Sequence, residues 1–423
     1  MPSPCLMRRL QTQFFVSYAI FGCIGPLLPV YLMEVKGFTE TELGYNQALT
    51  SIATVLSPIL ITLLADMKID PRRILGASFL ISALAFYLIS ISAGVIPSLI
   101  FYTLHSLAFM PTVALQDGYY FSLAKRSDDV RATRYHRIRV WGTIGFIVPS
   151  VVLYFLLEPD PNLISRVVLY FLLDRDPPLT MVLWCAIAFG VLSALHAQLL
   201  PKLPTNLDGE GAGFEVKRRL PSAEAFAALL SPKGRYFLIC MGLAYAASTA
   251  YHTFFPVYLR SMVGVEASVI GLIINVGVFL EIFYILALGR LRKRFGMRAI
   301  MIAGLSAMVV RLALLATFPS VFTAVATQLL HGLEICAVFV LPVMYLNQLA
   351  SDRFRNSIQG VYTMVVIGGS RIVSGVIGGR IAEVDLRLLF ACGAGLAAIA
   401  VILLALFFRP DDDYGDAQAE RTV

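Results

Sequence analysis

The chain has 423 residues, 58% of them hydrophobic and 14% charged, with a formal net charge of +7. A soluble domain carries about 25% charged residues, so a cytosolic enzyme does not fit this composition. The basic excess hugs the ends of apolar runs, which argues against a nucleic-acid partner and for a topology signal.

Apolar runs long enough to cross the ~30 Å bilayer core as helices recur from end to end. They lie at roughly 13–33, 44–65, 74–93, 98–124, 140–157, 181–200, 236–259, 268–289, 299–317, 321–349, 357–379 and 386–408. Backbone groups in lipid must be satisfied within the segment, so twelve transmembrane helices are expected. The head MPSPCLMRRLQTQ is short and basic, and no small-residue cleavage site follows it. The first run therefore reads as an uncleaved insertion signal.

Most of the 34 lysines and arginines fall in the termini and in alternate loops at 66–73, 125–139, 198–235, 290–298 and 350–356. The positive-inside rule puts those loops and both termini in the cytoplasm, and the expected location is the bacterial cytoplasmic membrane.

Between the fifth and sixth runs a 16-residue unit is copied in tandem, VVLYFLLEPDPNLISR at 151–166 and VVLYFLLDRDPPLTMV at 167–182. Seven helical residues cover only about 10 Å. A second crossing would also invert every later basic loop, so the copy at 167–173 is expected outside, against the outer ends of the neighbouring helices or along the outer membrane interface.

The halves repeat. PVYLMEVKGFTETELG (29–44) and PVYLRSMVGVEASVIG (256–271) share PVYL and two following glycines at the same spacing. Parallel six-helix repeats define one class of transporter, with its site between the halves. Residues 1–200 and 235–410 are the expected six-helix halves. A polar cytoplasmic linker at 201–234 joins them, and an acidic disordered tail fills 411–423. The six cysteines are scattered without a C-x-x-C pair and read as buried thiols. Neither a metal nor a cofactor is expected.

The first repeat reads LADMKIDPRR (64–73) where the second reads LRKRFGMR (291–298). These loops resemble the G-x-L-A-D-R-x-G-R-R motif of the major facilitator superfamily, although Pro71 stands for a Gly and two residues are extra. The resemblance implies an inner latch built from Asp66, Arg72, Arg73 and Lys293.

Charges inside the apolar runs are costly and mark function by default. Arg311 in VVRLALL precedes His331 and Glu334 of QLLHGLEICAVFVLP, and the last two lie three apart on one helical face. This Arg, then H-x-x-E pattern resembles the lactose permease and phenylpropionate permease branch of that superfamily. There it forms the proton-coupling centre, so the resemblance implies proton coupling through Glu334, His331 and Arg311. It adds Glu281 in the eighth run, where the branch also tends to carry a Glu.

The fourth run ends PTVALQDGYYFSLAKRS and the fifth begins YHRIRVWGTIGF, which resembles the start of helix 5 in the same branch. The resemblance implies substrate binding by Asp117 and Arg139, expected to pair across the two helices, with Phe146 in the place of a stacking Trp and Trp141 nearby. Tyr251, His252, Asn275 and Gln47 are further candidates for lining the cavity. Arg371 has no family counterpart.

The expected protein is thus an all-α major facilitator transporter. It works as a monomer in lipid, coupling protons to a small organic solute such as an aromatic acid, nucleoside or sugar by alternating access. A proton-coupled efflux antiporter and a non-transporting receptor on the same fold are the alternatives. No H-E-x-x-H, G-x-S-x-G or nucleotide loop points to an enzyme or a primary pump.

Overall fold

The structure is a computed structural model that describes residues 4–66, 69–126, 135–157, 179–202, 223–349 and 355–408. The duplicated copy at 167–173, most of the linker and the acidic tail lie outside the described residues. The described residues are helical without a strand, and nine of their helices are long and apolar enough to cross a membrane. Each of the twelve apolar runs coincides with helix, and the longest helix, of 51 residues, holds two of them.

The chain divides into two compact units, Met1–Arg218 with Val265–Leu272, and Arg219–Gly264 with Ile273–Val423. The first contains α1 (Pro4–Glu34), α2 (Glu40–Asp66), α3 (Pro71–Ile91), α4 (Val95–Arg126), α5 (Tyr135–Leu157) and α6 (Met181–Gln198). Local chemistry sets their ends. Thr39 and Glu42 form a reciprocal capping box before α2, at 2.9 and 3.2 Å. Asp70 caps α3 by accepting from the Arg72 backbone N–H at 3.0 Å, with Pro71 at the first helical position. Lys36 closes the far end of α3, donating to the Ser90 and Ser92 carbonyls at 3.2 and 2.6 Å.

α1 packs along α5, and α3 packs against α4 and α6. At the α1–α5 crossing Gly22 lies against the Phe146 backbone carbonyl, and Gly145 against that of Phe15. Neither position has room for a Cβ, which is how small residues bring membrane helices together.

The second unit contains α7 (Ala223–Leu230), α8 (Pro232–Ser261) and, from Ile273 on, α9 (Ala267–Thr317). The next stretch is wound in pieces: α10 (Val321–Ala326), a 3₁₀ turn (Thr327–Leu330), α11 (His331–Ile335), a π turn (Cys336–Val340) and α12 (Leu341–Leu349). After it come α13 (Arg355–Tyr362), a π turn (Thr363–Gly368), α14 (Gly369–Val384) and α15 (Leu386–Phe407). α8 packs on α14 and α15. The hydroxyls of Ser370 and Ser374, one turn apart on α14, donate to the Gly242 and Ala246 carbonyls of α8 at 2.9 Å each.

Two stretches read as loops in the sequence are more helical than expected. Residues 290–295 continue α9, and the reversal is confined to Gly296 at φ 76° and ψ 161°, a conformation that costs glycine little. The linker region contributes α7, and Pro232 already opens α8.

Candidate functional site

Each unit ties down the end of its last helix with an arginine. In the first, Arg72 hydrogen-bonds the Asp70 carboxylate at 2.6 Å and donates to the Leu200 carbonyl at 2.8 Å, just past α6. Arg9 reaches the Leu199 carbonyl at 2.9 Å, and the Tyr119 hydroxyl donates to that of Pro201. In the second, Arg298 donates to the Ala405 carbonyl near the end of α15. Cations and donors are favoured there because helix C-termini leave carbonyls unpaired. Burial by itself would raise the Asp70 carboxyl, but the hydrogen bonds and charge of Arg72 outweigh it and hold the group below the usual carboxylate range.

Of the expected latch residues, Arg72 is engaged in this way, while Arg73 and Lys293 are exposed. The Asp66 side chain lies outside the described ones. Asp70 was not singled out in the sequence; its place just before Pro71 and the apolar start of α3 was the available signal.

The chemistry of the second unit centres on Arg311 of α9. Its side chain is 0% exposed and that of Glu334 1%, and Arg311 Nη1 donates to Glu334 Oε2 at 2.8 Å. The same nitrogen donates to His331 Nδ1 at 3.0 Å. Because arginine can only donate, Nδ1 is an acceptor here, and the proton of a neutral His331 sits on Nε2. That atom faces Glu281 Oε2 at 3.6 Å. Arg311 Nη2 donates to Gln328 Oε1 at 2.9 Å and to the Tyr251 hydroxyl, with the guanidinium over the Tyr251 ring. Ser248 of α8 donates its hydroxyl to the second carboxylate oxygen, Glu334 Oε1, at 2.8 Å. Four groups expected in this centre from the sequence, Arg311, His331, Glu334 and Glu281, are therefore neighbours, and Tyr251 joins them.

The irregular winding explains the alignment. A 3₁₀ turn stacks residues i and i+3, and Thr327–Leu330 runs directly into α11. Gln328, His331 and Glu334 thus fall in one file toward Arg311. The π turn after Glu334 is of the kind found at functional sites. Gly277 of α9 leaves room for the Gln328 amide and the His331 ring. Sequence reasoning missed Gln328 and Ser248. For Gln328 a signal existed, since Gln-x-x-His-x-x-Glu keeps one spacing; Ser248 is a common residue of an apolar helix and gave none.

The first unit holds the other charged cluster. The Tyr135 hydroxyl donates to Asp117 at 2.5 Å, and the Arg139 guanidinium lies over the Tyr18 ring at 4.2 Å from its centre. Asp117 and Arg139 act on each other electrostatically but form no ion pair within 4.0 Å among the described residues. Tyr18 and Tyr135 were not singled out in the sequence.

Phe146 is half-buried with its ring 3.5 Å from where a Cβ on Gly25 would stand, and Trp141 is exposed on α5. Gln47 is half-buried on α2 and bonds Ser51 Oγ at 3.4 Å, while Asn275 is buried on α9. His252 is solvent-accessible one turn from Ser248.

The model of the family described as Nucleoside H+ symporter matches residues 5–413. A putative nucleoside transporter, YegT, of Escherichia coli K12 is 26% identical over 96% of this chain and 94% of its own length. The xanthosine permease of the same organism is 22% identical over 96% of this chain and 97% of its own. The crystal structure of a point mutant of the nucleoside transporter NupG superposes with a TM-score of 0.81 at 20% identity, covering 96% of this chain and all of that one. A bacterial homologue of the lysosomal transporter Spinster superposes with a TM-score of 0.66 at 15% identity. These likenesses establish the major facilitator fold.

Proposed function

The chain belongs to the nucleoside H+ symporter family, and from that premise we propose that it is a permease driving nucleosides across a bacterial cytoplasmic membrane, together with protons, by alternating access. One observation carries the reading: a single carboxylate, Glu334, is buried against a permanent cation and ringed by groups that can exchange its partners. While Glu334 is ionised, Arg311 neutralises it. Protonation removes that attraction and leaves the guanidinium held by Tyr251, Gln328 and His331. A carboxyl that swaps a proton for an ion pair is a two-state element of the kind coupling requires.

Nucleosides join an aromatic base to a ribose rich in hydroxyls. Asp117 is suited to accept from such hydroxyls, Arg139 to donate, and Tyr18 to offer a ring face. The excess of lysine and arginine in alternate loops supports cytoplasmic termini. The relatives named for nucleosides and xanthosine support the substrate class.

The test is uptake of labelled uridine, adenosine and xanthosine into proteoliposomes with an imposed pH gradient. Accumulation of at least one, abolished by a protonophore, is expected. Binding without gradient-driven accumulation would instead support a receptor.

A further inference from the structure

Glu334 is shut away from water, and so is Arg311, yet a coupling carboxylate must receive its proton from somewhere. Arg311 covers one carboxylate oxygen with a group that cannot deliver a proton at neutral pH. The other oxygen, Oε1, takes the Ser248 hydroxyl at 2.8 Å. One turn along α8, His252 places Nδ1 2.7 Å from the Ser248 carbonyl and 3.3 Å from the Ser248 Oγ. His252 keeps solvent-accessible surface, and its ring lies among those of Tyr251, His331 and Phe339, with ring centres 5.0, 5.7 and 6.4 Å away. We propose that His252 and Ser248 are the proton relay that loads Glu334, His252 collecting the proton from water and Ser248 handing it on. This rests on the reading of Glu334 as the proton carrier.

The step balances. A neutral His252 donates Nδ1–H to the Ser248 carbonyl, which leaves the Nε2 lone pair to take a proton from water. In the resulting imidazolium the Nδ1–H bond breaks and an O–H bond forms at Ser248 Oγ. The hydroxyl's original proton passes to Glu334 Oε1. The carboxylate becomes a carboxylic acid, the imidazole is left neutral with its proton on Nε2, and exchange with water restores the starting tautomer.

The charges around His252 set its pH response. The charged groups acting on it are Glu334 on α11, Arg311 on α9 and Arg371 on α14. His331 on α11 lies with its ring centre 5.7 Å away, Tyr251 is adjacent on α8, and Phe339 closes a further side. Because the relay begins with protonation of an imidazole, loading through His252 should slow as the pH of the water it meets rises.

The experiment compares His252→Gln, His252→Ala, Ser248→Ala and Ser248→Thr with wild type and Glu334→Gln. Proteoliposomes and whichever of labelled uridine, adenosine and xanthosine the wild type accumulates serve as the assay. The relay predicts that H252Q and S248A lower the initial rate of pH-driven uptake tenfold or more, with equilibrium counterflow and Kd within about twofold of wild type. S248T, which keeps the hydroxyl, should retain the wild-type rate, and free imidazole should restore uptake by H252A. Wild-type uptake by H252Q, or a matching loss of uptake and counterflow that marks a substrate ligand, would overturn the relay. If E334Q still accumulates substrate, the carrier reading falls and the relay with it; if E334Q fails while H252Q is normal, only the relay falls.

Discussion

Arg311 and Glu334, twenty-three residues apart in sequence, meet at 2.8 Å with neither side chain reaching solvent. Removing one member of a buried pair leaves a charge stranded at a cost of about 3–5 kcal/mol. Arg311→Gln is therefore expected to lower stability in detergent and to abolish gradient-driven uptake, which thermal unfolding and transport assays would read. A variant as stable as wild type would mean the pair is not buried as described.

An amide cannot gain and lose a proton, but it can still accept a hydrogen bond from Ser248. Glu334→Gln should thus keep substrate exchange near the wild-type rate while losing accumulation against a gradient. Counterflow and pH-driven uptake in the same vesicles separate the two. Concentrative uptake by this variant would move the coupling site elsewhere.

Asp117 is held by the Tyr135 hydroxyl at 2.5 Å. A hydrogen bond to a charged group contributes about 1.5–3 kcal/mol, which is roughly a tenfold to hundredfold change in an equilibrium. Tyr135→Phe should weaken substrate binding within that range by loosening the carboxylate, and Asp117→Asn should weaken it at least as much. Titration calorimetry on purified protein gives both values. Unchanged affinity in Asp117→Asn would remove Asp117 from the substrate site.

The Asp70–Arg72 contact makes stability depend on pH. The Asp70 carboxyl is held below its ordinary value, so its contribution is present above the unfolded-chain pKa of about 3.9. It fades as pH falls through the lower, folded-state value. Asp70→Asn should be less stable than wild type at pH 7, and the gap should narrow as pH drops below about 4. Equal stability at both pH values would mean the bond contributes nothing.

At the crossing of α1 and α5, a Cβ on Gly22 or Gly145 would strike the backbone of the facing helix, whereas one on Gly360 meets nothing within 4 Å. Gly22→Ala and Gly145→Ala should each lose about 1–3 kcal/mol through forced separation of the helices. Gly360→Ala should gain up to about 1 kcal/mol from its lower unfolded-state entropy. The three melting temperatures would show whether the crossing is as tight as described.

Hydropathy alone identified a membrane protein, located the apolar helical runs, and flagged Arg311, His331 and Glu334 as too costly to be incidental. Those properties are local: a run's length and composition decide whether it lies in lipid, whatever its neighbours. The tertiary structure decided who partners whom. Ser248 and Gln328 look like ordinary polar residues until α8 and the 3₁₀ turn bring them to Glu334 and Arg311. Asp117 and Arg139 were legible as a charged pair, but the structure gives Asp117 the Tyr135 hydroxyl and Arg139 the Tyr18 ring. Even the bend at Gly296 replaces a loop with a single residue. A charge in an apolar helix announces that it needs a partner, but the partner is set by which helix packs alongside and in what register, and pairwise spacing along the chain does not carry that information.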